Sequence, residues 1–405
     1  MKRIGFTLAF LAVLAFSVNL RLGIVSLAPV LGPVSETLGI STSAAGVFTA
    51  LPGFAFALMG WTAVPLAKRL GISPALLLGG VLLLAGSVLR TVTSSYWPFL
   101  ICTALVVCGI AVGNVLLPAW IQAHAKKKRT LVHMTVFTTG LGVSAMIGPL
   151  SAMWFHGAEP WRMALGVWAL PAALLVVVWA VVAVRTGRDT PRTSVVDAAN
   201  PAEATARASL WRAPTAIAML LFFAMQAASF YTQVGWLPKI LIDHGVTGAT
   251  ASLALVVIGS MGVLGGIIMP FLINRVASIT PLATGISLFT LAGWVGLLWN
   301  ASASPLLWAL LLGIGGMSFP LALALLTART RTALVTARLS GFVQPVGYLI
   351  AGAIPLAIGL IFSATESWVI PLCMLAVMAV IQAVVGTQAG RSVFIEDELH
   401  AAARG

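Results

Sequence analysis

The sequence predicts an all-α membrane protein: twelve transmembrane helices in two pseudo-symmetric bundles of six. Hydrophobic residues fill 60% of its 405 positions and charged residues only 8%, more apolar surface than a soluble fold hides behind a polar exterior. Apolar runs of about 20 residues, each able to cross roughly 30 Å of hydrocarbon as a helix, recur along the whole chain. Basic residues gather in the short breaks between alternate runs, as they do beside the cytoplasmic ends of membrane helices.

The runs place helices at 5–32, 43–67, 74–93, 98–122, 131–155 and 162–185, then at 214–242, 249–273, 280–300, 305–328, 339–362 and 368–388. The opening "MKRIGFTLAFLAVLAFSV" imitates a secretory signal. No small-residue cleavage site follows it, and the apolar run outlasts a signal peptide, so it is the first membrane helix. Residues 186–213 are polar and punctuated by Pro191 and Pro201, which marks a cytoplasmic linker. The expected organisation is a six-helix bundle at 1–185, the linker at 186–213, a second bundle at 214–388 and a cytoplasmic tail at 389–405. Gly39 and Gly245, Gly60 and Gly266, Arg69 and Arg275, Gly109 and Gly315, and Pro149 and Pro355 are each 206 residues apart, as a six-plus-six repeat requires.

The formal net charge of +13 is accounted for by the loops and gives no cause to invoke nucleic acid. The distribution of those basic residues, with an even number of spans, is expected to place both termini in the cytoplasm. Arg21, Arg90, Arg162 and Lys239 escape that rule. Arg90 and Lys239 lie near the outer ends of their helices and Arg162 opens one, so all three are expected to snorkel to the interface. The ten acidic residues all fall in loops, linker or tail, which argues against a cavity for organic cations or a carboxylate proton relay. Without such an acid, facilitated diffusion, exchange, or symport of a proton carried on the solute is expected. Cys102, Cys108 and Cys373 lie inside apolar runs without metal spacing, and no membrane acid stands near a histidine to build a triad. No cofactor, metal site or enzymatic chemistry is expected.

Gly60-Trp-Thr-Ala-Val64-Pro-Leu-Ala67-Lys68-Arg69 resembles the loop motif of the major facilitator superfamily, with Gly60, Lys68 and Arg69 in place. Val64 stands where that motif has an acid and Ala67 where it has a second glycine, which implies a loop latch that is weaker or differently built. "NLRLGIVSLAPVL", "TALP", "GIAVGNVLLPAWI", "WALPA", "GWLPKILIDHG" and "LSGFVQPVGYLIAG" resemble one subfamily, the cyanate and 2-nitroimidazole transporters (CynX/NimT). Leu22 departs from it where a proline is common, and Lys239 where a small apolar residue is expected. Gly148-Pro149 resembles an antiporter motif that lacks its closing glycines, and is expected to bend and pack its helix closely. The resemblance implies the major facilitator fold and a secondary transporter working by alternating access, with a small anionic or nitro-bearing solute as partner.

Arg21 is the leading candidate for the solute site. It lies about 16 residues into the first helix, roughly 24 Å along its axis and just past the midplane. Unless the side chain reaches outward, it must face water or an anion inside the bundle, since an unpaired charge at that depth costs at least about 3 kcal/mol. Its planar donors suit a small anion or nitro group. Asn19, about 160° round the same helix, either braces a neighbouring helix or touches solute. Gln226, Tyr231 and Gln233 in the seventh helix, Asn114 in the fourth and Gln344 in the eleventh are the mid-helix polar groups, and hydrogen bonding between helices is the alternative for each. Phe137 and Trp236, with Phe54, Phe230 and Phe342, are candidate apolar walls or simple packing. His133 is a proton carrier or an interfacial histidine. A broad exporter of hydrophobic compounds, with Arg21 purely structural, is the alternative function. One chain suffices for either, so a functional monomer is expected.

Overall fold

In the computed structural model of the chain, residues 5–125, 127–190, 209–273, 275–276 and 278–404 are described. Twelve helices among them are long and apolar enough to span a membrane. They are α1 Phe6–Leu38, α2 Ser43–Leu70, α3 Ile72–Leu89, α4 Tyr96–His124, α5 Val132–Met153, α6 Pro160–Thr186, α7 Pro214–Asp243, α8 Gly248–Ile273, α9 Thr280–Asn300, α10 Pro305–Ala328, α11 Val335–Thr365 and α12 Val369–Ala389. A short amphipathic helix, α13 Ile395–Arg404, follows. These agree with the expected runs to within a few residues, save that α1 continues to Leu38. Most of the expected linker, residues 191–208, lies outside the described residues.

The length of α1 hides a break. Pro29 has no N–H to continue the helix, and Leu27 N–H bonds back to the Ile24 carbonyl (3.3 Å), not to that of Gly23. The Gly23 carbonyl is taken by Arg90 Nη1 at 3.1 Å. Arg90 is therefore fully buried and does not snorkel, contrary to its place in the sequence. The break invites a donor from the neighbouring helix, a demand that Arg90's own segment does not reveal.

Arg162 spans Glu159 (2.7 Å) and the carbonyls of Thr91 (2.7 Å) and Thr93 (2.8 Å). Its hydrogen bond holds the Glu159 carboxyl below the ordinary carboxylate range. Lys239 pairs with Asp243 at 3.0 Å. Gly39 and Gly245, one of the pairs 206 apart, take left-handed φ values of +63° and +83° where α1 and α7 end, a conformation open to glycine without a Cβ clash.

Two seams join the first six spans to the last six. Along α2, Gly46, Gly53 and Gly60 recur every seven residues and so share one face. They meet Gly359, Gly352 and Pro345, which recur every seven residues along the antiparallel α11. A Cβ on Gly53 would run into the Gly352 backbone and lie 2.8 Å from the Tyr348 carbonyl oxygen. In the second seam Gly142 of α5 lies on Val263 of α8, and Gly259 lies against Ala145 and Met146. Small residues permit this approach where hydrocarbon supplies no hydrophobic drive between helices. At the end of α5, Gly148–Met153 tightens into a 3-10 turn, with Gly148 against Val25.

At the face of the bundle where α1 begins, carboxylates tie helix ends together. Asp189, 3% exposed, accepts from the backbone N–H (2.8 Å) and hydroxyl (2.6 Å) of Ser73 at the start of α3. Its Oδ2 also lies 3.2 Å from His124 Nε2 at the end of α4. The loop between α2 and α3 is thus latched by an acid that follows α6, in place of the acid the loop motif lacks at Val64. In α13, Glu396 accepts from the N–H of Arg331 (2.8 Å) and Thr332 (3.2 Å), before α11. Glu398 accepts from the N–H (3.0 Å) and hydroxyl (2.7 Å) of Thr215 in the first turn of α7. Both fill positions where helix N-termini favour negative charge.

Candidate functional site

The candidate site lies where α1, α2, α7 and α11 meet around Arg21. Arg21 is 8% exposed, so its guanidinium faces the protein interior and not the surroundings. Its central carbon stands 4.6 Å from the ring centroid of Phe230 on α7. The phenols of Tyr231 and Tyr348 lie within electrostatic reach. No carboxylate among the described residues pairs with it, and its Nη1 has no hydrogen-bond partner there. A cation over a ring is worth about 2 kcal/mol when both are shielded from water, less than the cost of burying the charge. The compensation is partial.

An aromatic wall surrounds this cation. Phe56 of α2 stacks on Tyr231 (6.3 Å, 22°) and tilts against Tyr348 (5.1 Å). Phe223 meets Tyr348 edge-on at 5.0 Å, and Phe230 meets Tyr231 at 5.7 Å. Two of the chain's three tyrosines, Tyr231 and Tyr348, converge here. Gln226 is four residues before Phe230 on the same face of α7, 4% exposed, with its Nε2 unpartnered. Beyond Tyr231, away from the face where α1 begins, Ile24, Leu27, Phe48, Thr49 and Pro52 line a cavity of about 20 Å³. That admits little more than one water molecule.

Of the residues named from sequence, Arg21, Phe230 and Tyr231 are brought together, with Gln226 one helical turn from Phe230. Three others are engaged elsewhere. Asn19 is turned away from Arg21, its Nδ2 donating to the carbonyls of Ala15 (2.8 Å) and Pro171 (3.0 Å), and it braces α6. Gln233 donates to Ser229 Oγ (3.0 Å), which also accepts from Trp294 Nε1 (3.1 Å), so its amide faces α9. Trp236 is fully buried, donates to the Pro355 carbonyl (2.9 Å) and wedges against Gly359 and Trp368, closing α7 onto α11 instead of lining a cavity. Asn114 and Gln344 bond within their own helices, to the Ile110 carbonyl (3.2 Å) and Ser340 Oγ (2.6 Å). They and Phe137 are partly exposed. His133 donates from Nδ1 to the Arg129 carbonyl at 2.8 Å, with its ring edge-on to Phe6. In the loop motif, Gly60 packs on Pro345 (2.7 Å to an added Cβ), while Lys68 and Arg69 are exposed at the end of α2.

Tyr348 and Phe56 escaped the sequence reading. Tyr348 carried a usable signal: it is four residues after Gln344, and a tyrosine is scarce in this chain. Phe56 looks like any apolar residue of a membrane span.

Twelve spans, glycine seams and a polar group enclosed between the two sets of six describe a membrane transporter, and comparison with known proteins agrees. The Major Facilitator Superfamily model matches residues 5–355, and the chain belongs to that family. It is 32% identical over 384 residues to the uncharacterized transporter YycB of Bacillus subtilis (strain 168), covering 93% of this chain and 92% of that one. It is 31% identical to the 2-nitroimidazole transporter of Escherichia coli (strain K12), over 94% of each. It is 25% identical to the cyanate transport protein CynX of the same organism, over 91% and 95%. A D-xylose-proton symporter crystal structure shares the fold, with a TM-score of 0.76 at 13% identity over 97% of this chain and 99% of that one. The chain is therefore a multi-pass transporter of small molecules and not an enzyme.

Proposed function

We propose that the chain carries a small anionic or nitro-bearing solute, of the cyanate or 2-nitroimidazole kind, with Arg21 as the positive pole of its site. The observation that carries this reading is the buried Arg21 guanidinium, which faces the Phe230 ring and has no carboxylate upon it among the described residues. An acceptor group on the solute would supply what the protein omits, and the two phenols and the Gln226 amide add further donors. The wall of Phe56 and Phe230 suits a flat, delocalised group. Two relatives named for such cargoes lend support.

In this reading the bundles 1–185 and 214–388 rock about the glycine seams, exposing Arg21 to each side in turn. The linker 186–213 joins them in the cytoplasm, together with both termini, as the distribution of basic residues requires in a bacterial inner membrane. One chain makes a complete carrier. Purified protein in liposomes is expected to move labelled cyanate or labelled 2-nitroimidazole. Arg21→Gln, at unchanged expression, should lower that flux by about 10–100-fold, the worth of charge-assisted hydrogen bonds. Lipophilic dyes carried equally well by parent and Arg21→Gln, with no flux of either solute, would establish the exporter instead.

A further inference from the structure

A carrier that gives net transport closes its site twice in each cycle, once with the solute and once without. With an anion bound, closure buries a neutralised guanidinium. Without one, closure buries a bare cation unless the protein supplies a stand-in. The described acids supply none: Glu36 and Asp243 stand at the ends of α1 and α7, and the remainder lie outside the spans. What the protein does present to Arg21 is the face of Phe230 at 4.6 Å, together with the phenols of Tyr231 and Tyr348, which carry dipoles and no negative charge.

We propose that the Phe230 ring is the resident counter-charge of Arg21, which lets the unloaded site close and so permits net flux in addition to solute exchange. This rests on Arg21 being the solute pole. A guanidinium offers two separate surfaces. Its flat face attracts the negative face of an aromatic ring, and its edge carries the N–H donors that an anion engages. Ring and anion therefore do not compete, and the unpartnered Nη1 shows that part of the edge is not used by the described protein groups. Phe230 contributes in both states, but its share is larger without solute, when no other negative charge is at hand. Losing it should slow return of the unloaded carrier more than movement of the loaded one.

The test compares two modes in the same proteoliposomes, with potassium and valinomycin clamping the voltage. Labelled cyanate and labelled 2-nitroimidazole are the probes. Net uptake is read in vesicles free of the solute, and counterflow in vesicles preloaded with unlabelled solute. The parent should show both. Phe230→Leu should keep counterflow within about twofold and lose net uptake by about tenfold, and Phe230→Trp, which keeps a ring face, should restore it. If Phe230→Leu lowers expression, Phe230→Met provides an unbranched side chain without a ring, read by the same ratio. A ratio unchanged in both ring-less variants makes Phe230 a packing residue and overturns the proposal. Pure exchange by the parent overturns it too, while leaving the Arg21 reading intact. Undiminished flux of both probes through Arg21→Gln removes that reading and this one with it, as does a parent that moves neither probe.

Discussion

Two arginines, similar in the sequence as cations escaping the loops, meet opposite fates once folded. Arg21 faces a ring and phenols with Nη1 unpartnered among the described residues, whereas Arg90 gives Nη1 to the backbone and leaves Nε and Nη2 unpartnered there. Where α1 breaks, the Gly23 carbonyl loses its helical donor, and Arg90 replaces it. Arg90→Met should leave that buried carbonyl unbonded and lower stability by about 1–3 kcal/mol. The fall would be read as a lower unfolding temperature of the detergent-solubilised protein. A variant as stable as its parent would mean that relief from burying the charge outweighs the lost bond.

At the level of elements, the stretch after α6 and helix α13 perform parallel tasks on the two sets of spans. Asp189, on the stretch after α6, ties the start of α3 to the end of α4, and Glu396 and Glu398 of α13 hold the starts of α11 and α7. Asp189→Asn keeps the size of the side chain but removes the charge facing Ser73 and His124. It should cost about 1.5–3 kcal/mol, the range for hydrogen bonds to charged groups. Thermal unfolding of the purified variant checks this, and an unshifted transition would show that the latch contributes nothing measurable. Of the amides on the membrane helices, Asn19, Gln233 and Gln344 each hydrogen-bond a nearer partner, while Gln226 keeps its Nε2 unpartnered among the described residues.

For the whole molecule, the α2–α11 seam governs how closely the two sets of spans can approach. Gly53 is its tightest point, against the backbone of Gly352 and beside the carbonyl of Tyr348, whose phenol belongs to the Arg21 site. A methyl group there has no flexible neighbour to displace, so Gly53→Ala should hold the seam open and draw Tyr348 from Arg21. The expected outcome is a longer distance between spin labels on α2 and α11 in a cysteine-free background, and solute flux lowered by about tenfold. Parental distances together with parental flux would show that the seam yields at no cost.

By itself the sequence determined the membrane class, the number of spans and, α1 apart, their limits to within a few residues, with Glu36 and Asp243 falling in the last turn or two of α1 and α7 and not in the expected loops. These depend on apolar length and on the penalty for burying charge, both of which act along a single helix. Tertiary structure alone decided that Phe230 and Tyr348 would face Arg21, that Arg90 would turn inward to Gly23, and that Asp189 would latch Ser73. Each of those contacts joins different helices or a helix to a distant loop, so its partner is chosen by packing between elements and by which backbone groups a break leaves free, neither of which is written in local spacing.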